Sequence, residues 1–361
     1  MADSVPTSSA RLNCLCGAIS LPGTYLVDTS LPILDTICYC QDCRWVSGGL
    51  VPSFPSLKSA PPKDVLNKLA VYKTSDRCNR YFCSKCGSHC FVEHPQVENE
   101  WYCNGGIIDP PEDAGIRDVI KIDKQMYIEG TLDGCVAPLL ADADAADALW
   151  GQRVGDSQLK PEEVLNMARK ANQHPLPGIK DKLTVKCHCG GVHLLVDRAN
   201  YEENPHHVKP RLIPSNPSKY FAWYCTCRSC RLATGYSLQP MAYVPPGAIK
   251  NAHSNEPVAF GDDAIKQGAN QGLSLGQYRH TDHAQRSFCS TCGATVFYTY
   301  LGNDGDGVVD ISVGILRAES GSMAREWLEW DEGHISHEEE MIDRSQTEAV
   351  KRGWKALGLG Q

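Results

Sequence analysis

No apolar run in this 361-residue chain approaches the roughly 20 residues that a helix needs to cross a bilayer. No membrane partner is therefore expected. Met1 to Ala10 contain neither a basic start nor an apolar stretch, so no secretory signal is read there. Runs of Lys or Arg are missing as well, and the formal net charge is −8. That balance repels a polyanion on average and argues against a nucleic-acid partner. With no sign of export, a reducing, cytoplasmic compartment is the default. Eighteen cysteines there are read as metal ligands or reactive thiols rather than as disulfides.

What the chain does have is a duplication. Cys14-Leu15-Cys16-Gly17, Cys38-Tyr39-Cys40-Gln41-Asp42-Cys43-Arg44 and Phe82-Cys83-Ser84-Lys85-Cys86-Gly87 recur in order. The second set is Cys187-His188-Cys189-Gly190, Cys225-Thr226-Cys227-Arg228-Ser229-Cys230-Arg231 and Phe288-Cys289-Ser290-Thr291-Cys292-Gly293. The copies differ in spacing by two insertions in the second, one proline-rich around 204–219 and one glycine-rich around 260–276. Both read as surface loops, with a pocket lid as the alternative. The duplication and the length both predict two domains. Residues 11–140 form a first unit, 141–181 a linker with a short helix, 182–340 a second unit and 341–361 a terminal helix.

Short segments rich in β-branched and aromatic residues, Val192 to Val196, Phe221 to Tyr224 and Thr295 to Tyr300, lie between Gly and Pro breakers. They predict a mainly β fold. Helices are expected in the linker, where Pro161 and two glutamates open a segment that closes on Arg169 and Lys170. A second should start at the capping box Ser345-Gln346-Thr347-Glu348 and end at Gly358.

Two cysteines one or two residues apart can turn their sulfurs toward one ion from a tight turn, and zinc needs four ligands in a tetrahedron. The outer pairs of each unit add up to one closed, structural site: Cys14, Cys16, Cys83 and Cys86 in the first, Cys187, Cys189, Cys289 and Cys292 in the second. The glycine after each pair permits a left-handed turn that aims backbone N–H groups at the sulfurs.

The middle triplets, Cys38, Cys40, Cys43 and Cys225, Cys227, Cys230, offer three sulfurs each. Three protein ligands with one open position is the catalytic pattern. In the first unit Cys78, His89, Cys90, His94 or Cys103 could close the site, but the second unit has no further cysteine. A three-thiolate zinc is electron-rich and polarises water poorly, so a thiol substrate attacking an electrophilic carbon suits it better than hydrolysis. Arg44 and Arg231 follow the triplets and would either offset thiolate charge or hold a substrate carboxylate. Arg80 and Arg286 are read as partners of the nearby turns. Trp45, His206, His207, His280 and His283 are candidate pocket residues that packing or surface positions explain as well. Cys78, Cys90, Cys103 and Cys135 have no assigned role beyond that of buried thiols.

The linked motifs CxCG, CxCxxCRxx(S/T)G and RxFCxxCG, present twice, resemble the glutathione-dependent formaldehyde-activating enzymes, whose domain is shared with centromere protein V. The resemblance covers roughly 11–135 and 182–335. It implies two tandem β-tent zinc domains with up to four Zn²⁺, two structural and two catalytic or labile. It also implies a carbon–sulfur lyase, or synthase, that joins glutathione to formaldehyde or another small electrophile at the triplets. Two alternatives remain: a non-catalytic zinc scaffold that binds a partner, and a zinc enzyme that cleaves or rearranges a thiol conjugate. The oligomeric state is not legible.

Overall fold

The computed structural model describes residues 10–111, 118–141, 148–173, 180–203, 208–302 and 305–358. The fold is mainly β, and the strand pairings repeat. In the first unit Arg11–Asn13 pairs antiparallel with Ser20–Pro22 and with Ile108–Asp109. Lys182–Lys186 likewise pairs with His193–Asp197 and meets Leu316 through a bridge at Val185. Ile33–Cys38 runs parallel to Ile120–Met126, and Tyr220–Cys225 runs parallel to Leu328–Ser336, each pair with one irregularity in register. Both strands end on the first cysteine of a triplet, so the same pairing aims each triplet.

Ile249–Asn251 pairs antiparallel with His193–Asp197, and the remaining strands form one sheet per unit. In the first its order is Ser56–Leu57, Trp101–Cys103, His89–Glu93, Cys78–Cys83, Leu69–Ser75. In the second, Gln239–Val244 bridges this sheet to Tyr220–Cys225, so seven strands are continuous. The apolar segments read as strands fall in His193–Asp197, Tyr220–Cys225 and Thr295–Tyr300.

The linker helix is Pro161–Gln173, with Glu162 and Glu163 in its first turn and Lys170 in its last. The terminal helix is Arg344–Leu357, closed by Gly358. Its start corrects the capping-box reading, because the helix opens on Asp343. Ser345 Oγ donates to Asp343 Oδ1 (2.6 Å), and Asp343 Oδ2 accepts from Gln346 Nε2 (3.0 Å) and from Ile122 N (3.3 Å). Ser345 is spent on the acid instead of capping the helix itself. The terminal helix packs on Ala137–Leu140, and with the linker helix the three make one helical layer. Gly353 lies against Leu139, where a Cβ would come within 2.4 Å of backbone. Within 141–181, the helix Pro161–Gln173 packs in this layer, and 142–147 and 174–179 lie outside the described residues.

The two units dock reciprocally. Helix Gln41–Ser47 sits on the turn Val313–Ile315 of the second unit, and helix Arg228–Thr234 sits on the turn Gly105–Ile107 of the first. Gly314 N donates to Gly48 O (2.9 Å), and Gly106 N donates to Gly235 O (2.8 Å). The phenylalanines of the FCxxCG motifs cross over in the same way. Phe288 fills the space over Gly87 (φ +79°), and Phe82 fills the space over Gly293 (φ +83°). A Cβ at Gly87 would stand 2.4 Å from the Phe288 ring on a backbone that L side chains avoid. Gly87→Ala should therefore lower stability by about 1–3 kcal/mol, read by thermal unfolding.

Candidate metal centres and the adjoining pocket

Four clusters of sulfurs form as the spacing predicts, each with its Sγ atoms within 4.8 Å of one another. A tetrahedron with Zn–S bonds of about 2.3 Å needs sulfurs roughly 3.8 Å apart. Cys14–Cys16 and Cys16–Cys83 are each 3.6 Å apart, Cys187–Cys189 3.6 Å and Cys189–Cys289 3.5 Å. Backbone amides point at these sulfurs: Ile19 N donates to Cys14 Sγ and Val192 N to Cys187 Sγ, both at 3.3 Å. The donor set and its spacing fit a zinc ion in each four-cysteine cluster.

The triplets are built by a strand running into a short helix. Cys40 caps Gln41–Ser47 and Cys227 caps Arg228–Thr234, and each sulfur accepts from the amide of the third cysteine at 3.4 Å. Among the described residues no His, Cys, Asp or Glu joins either triplet as a fourth ligand. Cys78, His89, Cys90, His94 and Cys103 are all accounted for elsewhere. His94 lies against Cys78 and Glu100. Cys90 donates to Ser88 O (3.2 Å), and Cys103 is fully buried. His89 is buried between Phe82 and Tyr236, and burial pushes its pKa down to about 3. Cys135 donates to Leu50 O (3.4 Å). All eighteen cysteines are free.

The arginines divide differently from the sequence reading. Arg80 Nη2 donates to Cys43 Sγ (3.0 Å) and Arg286 Nη2 to Cys230 Sγ (3.4 Å), so the arginine three residues before Cys83 or Cys289, not the one that follows the triplet, offsets sulfur charge. Arg231 instead crosses to the first unit. It donates to Gly106 O (2.5 Å), Ile108 O (2.9 Å) and Asp109 Oδ1 (2.7 Å). Arg44 is equally buried, but Arg317 stands where Asp109 stands in the other half. Arg317 stacks on Trp45 at 3.2 Å. Arg44 and Arg231 point away from the sulfurs, because a residue directly after a ligand on a helix is turned about 100° from it. Trp45 is thus an interface residue.

Beside the second triplet the sheet carries a row of side chains on one face. Arg286 opposes Tyr298, Tyr298 opposes Asp310 and Asp310 opposes Tyr243. Directly opposed residues share a face, and strand spacing puts Asp310 about 10 Å from Arg286. Trp223 lies two residues before Cys225 on the same strand, hence on its face. Trp223 and Tyr243 stack at 5.4 Å and Arg286 lies 5.0 Å over Tyr298. Trp223, Tyr243, Tyr298 and Asp310 line a cavity of about 330 Å³ together with Tyr300, Val308, Asp306, Lys209 and Arg211. Lys209 and Arg211 come from the proline-rich insertion, which therefore borders a pocket. Both are paired with Asp306, at 2.8 and 2.6 Å. The glycine-rich insertion packs instead beside the second four-cysteine cluster, where Ser274 N donates to Gly191 O (2.7 Å). His283 stacks on Tyr300 at 6.1 Å, His280 is half-buried, and His206 and His207 lie outside the described residues.

The matching row in the first unit reads Arg80, Val92, Tyr102, and Thr36 replaces Trp223 two residues before the triplet. The two sites share their sulfurs and their arginine but not their surroundings. Nothing in the motif spacing could have separated them, since the difference lies on strands between motifs.

Residues 9–128 match the family model of the glutathione-dependent formaldehyde-activating enzyme. The match includes Cys14 through Cys86 and Arg80, and ends before residue 140. No curated protein matches the chain. No helix among the described residues is long and apolar enough to cross a membrane.

Proposed function

We propose that this protein is a tandem pair of β-tent zinc domains acting as a carbon–sulfur lyase or synthase, and that it adds a thiol such as glutathione to formaldehyde or another small electrophile. The observation that carries the reading is the pair of three-cysteine clusters with no fourth protein ligand among the described residues, each touched by a buried arginine. The four-cysteine clusters are the structural sites. Zinc held by Cys225, Cys227 and Cys230 would supply a place for the substrate sulfur to bind as thiolate.

The chain's own groups do the rest. Arg286 donates to Cys230 and draws electron density from that sulfur, which keeps an anionic cluster tolerable where the protein is dry. Tyr298, Tyr243 and Trp223 line the cavity on that side of it. The thiol sulfur attacks the carbonyl carbon, the C=O π pair moves to oxygen, and the thiol's proton ends on that oxygen. The product is the hydroxymethyl thioether. Because Val92 and Thr36 stand in the first unit where the second has Tyr298 and Trp223, the second triplet is the productive one. That none of the eighteen cysteines is in a disulfide suits a reducing cytoplasm.

The test is exchange NMR of glutathione with formaldehyde on zinc-replete protein. Wild type should accelerate exchange over buffer. Cys227→Ala should abolish the acceleration and lower zinc content by one per chain, with thermal unfolding little changed. Unaltered exchange in that variant would defeat the proposal.

A further inference from the structure

The row of side chains beside the second triplet differs from its counterpart in the first at every position but the arginine. Tyr298 replaces Val92, Asp310 replaces Tyr102 and Trp223 replaces Thr36. Formaldehyde has two heavy atoms, and a cavity of about 330 Å³ is at the small end of sites that enclose whole organic ligands. Its walls are flat. Trp223 and Tyr243 lie within 17° of parallel, and Phe221 continues the stack at 6.4 Å from Tyr243 and 3°. The cations at its rim, Lys209 and Arg211, are paired with Asp306, so the pocket is not built to attract an anion. Trp223 Nε1 is buried with no hydrogen-bond partner in the protein. Asp310 is 8% exposed and has no hydrogen bond or ion pair among the described residues, although its carboxyl borders the cavity.

We infer that this pocket binds an aromatic aldehyde as the electrophile of the second site, with its ring against Trp223, Tyr243 and Tyr298 and with Asp310 as the acid that protonates its carbonyl oxygen. The inference rests on the function proposed above and narrows its substrate. Stacking on three aromatic walls selects a planar ring. An unpaired carboxyl in such a pocket holds its proton: burial raises Asp310 to about 8, with Arg286 opposing the rise. At neutral pH it is a donor. The thiolate sulfur bonds to the aldehyde carbon, the π pair goes to oxygen, and oxygen takes the Asp310 proton. The proton lost by the incoming thiol then reprotonates Asp310, and the product is a hemithioacetal with atoms and charge conserved.

Two measurements on the full-length zinc protein test this, with benzaldehyde as the probe. Saturation-transfer NMR without thiol should show benzaldehyde bound to wild type, with the signal lost in Trp223→Ala. No transfer to wild type overturns the inference, whatever the formaldehyde exchange shows. Benzaldehyde–glutathione exchange should then fall roughly 10²-fold in Asp310→Asn, the size expected for loss of a general acid. Its pH profile should also lose a descending limb near 8 that wild type has. An unchanged rate and profile in Asp310→Asn also overturn the inference. Formaldehyde exchange, run in parallel, reads the proposed function separately. If it is accelerated while benzaldehyde neither binds nor reacts, the pocket assignment falls and the thiol-addition reading stands.

Discussion

Replacing Cys289 with Ser is expected to unfold the second unit and destabilise the first with it. Cys289 is fully buried, 3.5 Å from Cys189, in a cluster that joins the start of the unit's chain to a turn about a hundred residues later. A serine oxygen is a harder and poorer ligand for zinc, and a site with three good ligands loses much of the roughly 10–16 kcal/mol that structural zinc contributes to folding. Few domains have that much stability to lose. The loss spreads because Phe288, the preceding residue, sits on Gly87 of the first unit's cluster. Near-UV circular dichroism should show loss of packing in both units, and released zinc should exceed one ion per chain. A variant that kept native packing and lost no metal would mean the cluster does not hold the unit together. The contrast with Cys227→Ala, which should spare the fold, separates the two kinds of cluster.

The second large effect is expected at Asp109. It accepts from Arg231 Nη2 (2.7 Å), Arg228 Nη2 (2.5 Å) and Asn13 Nδ2 (2.8 Å), and Arg231 is only 2% exposed. Asp109→Ala leaves the Arg231 guanidinium buried in the unit interface without its counter-charge. Breaking a buried pair from one side costs about 3–5 kcal/mol. Chemical denaturation should show a lower midpoint, and Asp109→Asn, which keeps an acceptor, should lose less. The pH dependence has a defined sign. Burial alone would raise the Asp109 carboxyl, but Arg228 and Arg231 hold it below its ordinary value. A depressed carboxylate contributes stability above its unfolded pKa and loses it as pH falls through the folded one. Wild type should therefore lose more stability on acidification below about pH 4 than Asp109→Asn does. The opposite order would show that Arg231 does not depend on this carboxylate.

The spread from Cys289 to the first unit and the whole effect at Asp109 come from contacts between the units, which sequence spacing did not reveal. The repeat gave equivalent positions, but equivalence hid the break in symmetry: Arg317 stands where the other half has Asp109, and a paired arginine in one half faces an unpaired one in the other. Asp310, Tyr298 and Trp223 were equally hidden. Each is an ordinary residue on an ordinary strand, and only the register that sets Arg286 opposite Tyr298 and Tyr298 opposite Asp310 brings them to one face beside the cysteines.

The sequence by itself determined the four cysteine clusters and the mainly β fold. Ligand pairs one or two residues apart are local, so a tight turn brings their sulfurs together whatever surrounds it, and duplication showed which pairs combine. Tertiary structure alone decided which arginine touches the sulfur, which triplet has a pocket and how the units dock. Those depend on strand register and on contacts between residues tens to more than a hundred positions apart, and no local spacing encodes them.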